Sequence, residues 1–293
     1  MTFNDNQFQD IWLTDLESVK EYRINAGDTS EWKPAMESAL SDFIVQASSD
    51  ILGELGWLPM PYVDTVLVDW STEYLINTRL MCLSNTPLLE VTTLTNGDLT
   101  TIASSKYVLN PNNSYPKKYI QLLRNGTVDF KPKAGCQVEQ AISVAGVFGY
   151  VPHYERCWVD TGQTVQDNPL SASATTLTVD NTMGFSQGQY LQLEDETVFV
   201  DAVASVTELT IERGVLGTTA VQHAQGSTVN RYKHISAIQK ACNEWSSYLW
   251  SRKDNVGEQI EVYDNGVTIA QGLSPRIYKA LMRYANYGAV SAS

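Results

Sequence analysis

Apolar residues recur at intervals of three and four in two stretches near the start of the chain, which is the spacing of one helical face. The clearer stretch covers roughly 31–55, where Pro34 is acceptable in the opening turn and Gly56 suits the end of the helix. A shorter stretch covers 8–24. The pattern therefore predicts two helices before the first β-prone segment.

The helical spacing returns at the other end of the sequence. It covers about 234–253, and a last stretch runs from Ser274, a good N-cap, and Pro275, a good first residue, to near Gly288. Predicted helices therefore lie at both ends of the chain.

Between about 64 and 149 the pattern changes to short β-prone runs that turn residues separate. Asn-Gly, the strongest short hairpin signal, occurs at Asn96-Gly97 and at Asn125-Gly126. The predicted strands cover 65–70, 74–83, 88–94, 107–109, 119–123 and 139–147.

Apolar residues then alternate at period two from about Val165 to Tyr232, as at Leu191 and Leu193. The strands are short and glycines break them, which predicts a small sandwich or barrel. The sequence thus predicts an α+β fold, a helical framework with a β-sheet and hairpin region, plus an inserted all-β domain. The predicted division is an N-terminal arm over 1–30, a core domain over 31–164 and 231–293, and the inserted domain over 165–230.

The chain is acidic and poor in charge. Among 293 residues, 20 Lys and Arg stand against 33 Asp and Glu, and charged residues make up 18%, below the ~25% common in soluble proteins. The net charge of −13 disfavours non-specific binding to nucleic acid. It divides into −16 over 1–230 and +3 over 231–293, so the C-terminal stretch differs electrostatically from the rest. No membrane span is predicted, and the N-terminus lacks a signal-peptide pattern, which favours a cytosolic origin.

Motifs that would indicate catalysis or a bound cofactor are missing from the sequence. There is no P-loop and no G-x-S-x-G elbow, and the four Cys form no C-x-x-C pair. His153 and Cys157 have the spacing of a zinc half-site, but no nearby residues complete a ligand set. We therefore expect no cofactor, no metal ion and no enzymatic activity.

One acidic cluster, formed by Glu194, Asp195 and Glu196, is the strongest candidate for chemistry. Adjacent carboxylates could bind Ca²⁺, and they would be the basis of a metal-assisted hydrolase. Their place between Leu193 and Val198 favours a solvated hairpin tip instead.

Aromatic residues are numerous, with 7 Trp and 15 Tyr, and such side chains are enriched in protein interfaces. Trp32, Trp57 and Trp245 are expected in the core. In the last predicted helix, tyrosines stand beside basic residues. The predicted partner surface consists of Arg276, Tyr278, Lys279, Arg283, Tyr284 and Tyr287.

Four strings follow one another in the β region: PLLEVTTLTNGD at 87–98, YVLNP at 107–111, PKKYIQL at 116–122 and ISVAGVFGY at 142–150. In this order they resemble the β region of head–tail connector, or adaptor, proteins of long-tailed bacteriophages. The predicted helices are similar to the framework helices of that family. The resemblance covers most of 31–164 and 231–290.

The predicted insert contains LTVD at 177–180 and LTIERGVLGTTA at 209–220. These strings resemble a small β module that recurs in phage virion proteins. The resemblance implies structural rather than catalytic roles for Glu196, Arg213 and His223.

The resemblance to connectors implies a structural protein of the virion neck that is assembled in the host cytoplasm during head completion. Such subunits form a ring, usually a dodecamer, between the portal at the capsid vertex and a downstream neck or tail protein. The ring extends the channel through which double-stranded DNA passes during packaging. An acidic wall would repel phosphates and let the duplex slide, and the basic C-terminal stretch is expected to dock on an acidic portal surface.

Two other function classes stay open on the sequence alone. One is a tail or baseplate binding module that recognises a glycan through the inserted domain. The other is the hydrolase described above.

Overall fold

The computed structural model describes residues 10–28, 31–71, 75–77, 79–83, 86–124, 128–252 and 275–285. These residues form four helices and three antiparallel sheets, which confirms the α+β class. The helices are α1 (Leu16–Asn25), α2 (Pro34–Leu55), α3 (Ser236–Arg252) and α4 (Pro275–Ala285). The strands are β1 (Tyr62–Val68), β2 (Leu75–Asn77), β3 (Leu80–Cys82), β4 (Leu88–Thr95), β5 (Tyr107–Asn110), β6 (Tyr119–Leu122), β7 (Ile142–Phe148), β8 (Trp158–Thr164), β9 (Thr176–Thr178), β10 (Tyr190–Leu193), β11 (Glu196–Val203), β12 (Glu208–Glu212) and β13 (Thr228–Tyr232).

The first two helices begin and end at residues suited to those positions. The Asp15 carboxylate accepts a hydrogen bond from the Ser18 backbone N–H at 3.0 Å, so α1 begins after Asp15 rather than near residue 8. Pro34 is the first residue of α2, and Gly56 ends it in the left-handed conformation with φ of 71°. None of the helices in the described residues is long and apolar enough to cross a membrane.

Two sheets share one apolar core. The first has strand order β1-β7-β4 and the second β2-β3-β6-β5. Val66 and Val144 of the first sheet and Met81 and Ile120 of the second are all buried in this core. The run predicted as one strand over 74–83 is in fact a hairpin, because β2 and β3 pair antiparallel.

The third sheet has the order β8-β13-β10-β11-β12-β9 and its own core. A bridge between Val165 and Val179 joins the chain beyond β8 to the chain beyond β9, so the sheet curls back on itself. We call residues 158–232 the β unit. The sequence predicted that the inserted domain begins at residue 165. In the structure the β unit begins earlier, at β8, because β8 pairs with β13 and forms an edge of the same sheet.

A third core joins the helices to the β unit. Trp12, Leu13 and Val19 are buried in it, so this stretch is packed rather than a free arm. The Leu13 N–H donates to Ser48 Oγ of α2 at 3.0 Å, and the Trp12 N–H donates to the Tyr190 hydroxyl of the β unit at 3.1 Å.

A glycine lets the β unit approach this N-terminal stretch closely. Gly188 lies against the Trp12 ring with φ of 94°, and a Cβ there would come within 2.1 Å of a ring carbon. The position therefore requires glycine for both its backbone conformation and its contact.

Candidate assembly surfaces

A fully buried carboxylate organises the β unit. Glu196 makes a two-pronged ion pair with Arg213, with both N–O distances 2.7 Å. The same carboxylate accepts the backbone N–H groups of Gly214 and Val221 at 3.0 Å each, and His223 Nε2 lies 2.8 Å from it. Burial alone would raise the pKa of Glu196, but the hydrogen bonds from Arg213, Val221 and His223 outweigh it and lower the pKa to about 2. The carboxylate is ionised at neutral pH, and protein groups occupy both of its oxygens.

The three carboxylates of the acidic cluster therefore lie in two different environments, two exposed and one buried. Glu194 and Asp195 form the exposed two-residue turn between β10 and β11, with Leu193 paired to Glu196. The expectation of a solvated tip is confirmed for Glu194 and Asp195 but wrong for Glu196, because Arg213 draws that side chain inward. Across the part of the chain that the structure describes, no three His, Cys, Asp or Glu side chains are grouped to hold a metal ion.

Of the six predicted partner residues, four lie on α4 and have side chains that the structure describes. Tyr278, Lys279 and Arg283 are exposed. Tyr284 instead packs against the core, with its ring 6.0 Å from that of Tyr150. The buried Leu281 anchors α4 on the other helices. The side chain of Arg276 and the whole of Tyr287 lie outside the described residues.

The outward side of the first sheet exposes apolar residues. On β1, Val63 and Leu67 are 41% and 43% exposed, and Thr65 lies between them on the same side. The strand register places Ala145 beside Thr65 and Ser143 beside Leu67. We call these five residues the outer sheet face. The sequence analysis missed it, although alternation along β1 was the available signal.

At one end of the β unit, two neighbouring loops carry exposed apolar side chains: the loop before β10 and the turn between β11 and β12. Met183 is 86% exposed, Val206 78% and Val203 43%. The Thr182 N–H donates to the Val206 carbonyl at 3.0 Å, which ties the loop carrying Met183 to the β11–β12 turn. We call Met183, Val203 and Val206 the apolar tip. The sequence analysis did not single it out.

A cleft of about 680 Å³ opens beside the second sheet. Near it, the buried Lys117 ammonium donates to the carbonyls of Pro111 and Asn112 at 3.1 and 2.8 Å and lies 4.0 Å from the Tyr115 ring centre. These contacts hold the loop that forms one wall. The tyrosine cleft is lined by Asn110, Pro111, Ser114, Tyr115, Pro116, Lys118, Tyr119 and Tyr150.

Comparisons with known proteins add little. No family model matches the chain, and no curated protein matches it. A solved structure with some similarity is a chain described as "Neck of empty GTA particle computed with C6 symmetry". The identity is 17% and the TM-score 0.28, and the match covers 45% of this chain and 64%, less than two thirds, of the other. At that TM-score the likeness establishes neither a shared fold nor a shared function.

Proposed function

We propose that this chain is a non-catalytic structural subunit of a phage neck, which assembles with copies of itself into a ring between the portal and a downstream neck or tail protein. The observation that carries the proposal is the separation of exposed apolar residues into two patches, one on the first sheet and one at the loop end of the β unit. Val63 and Leu67 lie on the outer sheet face, whereas Met183 and Val206 lie on the apolar tip. Exposed apolar patches are typical of interaction surfaces, and two dissimilar surfaces suit head-to-tail contacts that close into a ring.

The sequence resemblance supports the same function. The string at 87–98 forms β4 and the turn after it, and the string at 142–150 forms β7 and the turn after it. These adjacent strands build the sheet that presents the outer sheet face.

The buried ion cluster supports the non-catalytic part of the proposal. A carboxyl group with a pKa of about 2 stays ionised and is a poor general acid or base near neutral pH. Arg213 also donates to the carbonyls of Ser171 and Val221, both at 2.6 Å, so its guanidinium is committed to fixing loops. The geometry fits a structural clamp.

The glycan-binding alternative gains no support from the β unit. Sugar platforms are built from exposed aromatic rings, whereas Tyr190 and Tyr232 are buried and Trp158 is half-buried. We therefore propose no second function.

We further propose that α4 docks on the portal, and charge reversal tests this. Changing Lys279→Glu and Arg283→Glu together is expected to weaken portal binding at least tenfold, because two carboxylates would then stand where two exposed cations had faced an acidic surface, and like charges repel. Stability should change little, since exposed substitutions are worth about 0.5 kcal/mol or less each. Binding is measured by sedimentation with the purified portal complex, and folding by thermal unfolding.

The matched control reverses two exposed lysines elsewhere, Lys33→Glu just before α2 and Lys240→Glu on α3. Equal loss of portal binding in both pairs would mean that only net charge matters, which contradicts docking through α4. Deleting 274–293 is a poorer test, because it would remove Leu281, whose side chain is fully buried, from the core.

A further inference from the structure

Basic residues gather at one end of the second sheet. Arg79 precedes β3, Arg124 follows β6 and Lys106 precedes β5, and these three strands are neighbours. The Arg79 guanidinium donates to the Arg124 carbonyl at 2.8 Å, and the Leu123 N–H donates to the Lys106 carbonyl at 2.9 Å. Neighbouring strands lie about 5 Å apart, so the three cations stand side by side. We call Arg79, Lys106 and Arg124 the basic end.

Two of these cations have no carboxylate partner among the described residues. Lys106 and Arg124 are both exposed, and neither is part of an ion pair in the described parts of the chain. The basic end therefore keeps a local excess of positive charge in a chain whose net charge is −13. The carboxylates in the adjoining loops are already paired, Asp129 with Arg79 at 2.5 Å and Asp98 with Lys131 at 2.7 Å.

The opposite charge is concentrated on the β unit, which carries nine acidic and two basic residues, a net charge of −7. Its exposed carboxylates include Glu194 and Asp195, which are adjacent in one two-residue turn. Glu194 accepts from Ser227 Oγ at 3.2 Å and lies 3.3 Å from His223 Nδ1, yet its side chain is 59% exposed. A side chain that is already held in position loses little freedom on binding, so the turn is suited to receive a pair of cations.

Within one chain these two surfaces do not meet, since Lys106 and Arg124 are exposed and so are both residues of the turn. Two copies that each carry a net charge of −13 repel one another as they approach. Contact between copies therefore requires that opposite charges face each other across the interface. The basic end offers the positive side of such an interface, and the turn offers the negative side.

We propose that the turn formed by Glu194 and Asp195 in one copy contacts the basic end of the next copy, an interface that rests on the proposed ring function. The two carboxylates pair with Lys106 and Arg124. Each copy uses a different surface toward each neighbour, so the contact continues around a ring instead of ending at a dimer. Charged contacts fix the orientation and the rate of association more than the affinity, so the exposed apolar patches supply further buried area.

Zero-length cross-linking tests the contact. A carbodiimide joins a lysine amine to a carboxylate only where the two groups touch. Equal parts of unlabelled and isotope-labelled protein are mixed, assembled with the portal complex, treated and digested. The expected result is a linked peptide pair that joins Lys106 to Glu194 or Asp195, with one member labelled and the other not. Lys106→Arg is the matched control, because it keeps the charge and should assemble normally but cannot form the link.

Native mass spectrometry of the same samples separates the contact from the proposed function. A ring without the link, or a ring in which Lys106 is linked to another carboxylate of the β unit or of the portal, would overturn the contact and leave the ring standing. A link whose two members always carry the same label would overturn it as well, because the contact would then lie within one chain. If the protein stays monomeric on the portal and no link forms, the proposed function and the contact both fail.

Exchanging the charges tests the same contact without a reagent. Arg124→Glu is expected to reduce self-assembly about fivefold or more, because carboxylates would then face each other across the interface. Adding Asp195→Lys should restore most of the assembly, whereas adding Glu208→Lys, at an exposed carboxylate at the start of β12, should not. Unchanged thermal unfolding confirms that the variants fold. Normal assembly of Arg124→Glu, or equal recovery with Glu208→Lys, would overturn the contact.

Discussion

Replacing Arg213 with Met is expected to lower the free energy of unfolding of the β unit by about 3–5 kcal/mol, the cost typical of leaving one member of a buried ion pair without its partner. The Arg213 side chain is 6% exposed and that of Glu196 is fully buried, so the remaining carboxylate would lose its ion-pair partner in the core and keep only the contacts from Gly214, Val221 and His223. Loss of the bonds to Ser171 and Val221 would loosen two loops as well. Hydrogen exchange of peptides that cover β10 to β12 measures the effect where it arises.

The matched control is Lys131→Met. Lys131 also pairs with a carboxylate, Asp98, at 2.7 Å, but its side chain is 57% exposed. Surface pairs contribute about 0–1 kcal/mol, so this variant should be nearly neutral. Adding Glu196→Gln to Arg213→Met should recover part of the loss, because the double variant no longer buries an unpaired charge. Equal effects of Arg213→Met and Lys131→Met would contradict the structural role of the cluster.

Truncating Leu13 to Ala is expected to cost about 2–5 kcal/mol of global stability, the range for buried leucine side chains. Leu13 is fully buried, and its backbone N–H donates to Ser48 of α2. Its neighbour Trp12 packs on Gly188 of the β unit. The loss should therefore appear in both the helical core and the β unit, and urea unfolding followed by tryptophan fluorescence measures it.

Ile24→Ala is the control for this prediction. Ile24 lies on the same stretch of chain but is 55% exposed, so its truncation should cost less than about 0.5 kcal/mol. If both variants unfold at the same urea concentration, residues 10–25 are not part of the core, and the N-terminal arm predicted from the sequence would be the better description.

The parts of the fold that the sequence predicted correctly, such as the ends of α2 and the strand β10, are determined by residues close together along the chain. Pro34 and Gly56 mark the ends of α2 because proline suits a first turn and glycine suits the left-handed position after the last one. The alternation at Leu191 and Leu193 likewise identified β10, since both residues point into the core of the β unit. Such features depend only on neighbours along the chain.

The features that the sequence did not predict depend on contacts between residues that are far apart along the chain. Glu196 resembles its exposed neighbours Glu194 and Asp195 until Arg213, seventeen positions later, is brought beside it. Tyr284 is partly buried and packs beside Tyr150, which approaches from a distant part of the chain. The apolar tip, the outer sheet face and the tyrosine cleft become visible only when the strands are placed in register.

We infer that copies of this chain assemble side by side into a closed ring on the portal. Electron microscopy of the purified protein mixed with the purified portal complex tests it most directly. We expect a closed ring of about a dozen copies, coaxial with the portal and with an open central channel, because head-to-tail contacts form a ring when the rotation between neighbours closes. Single copies scattered around the portal, or a protein that stays monomeric beside it, would show that the chain is not a ring-forming subunit.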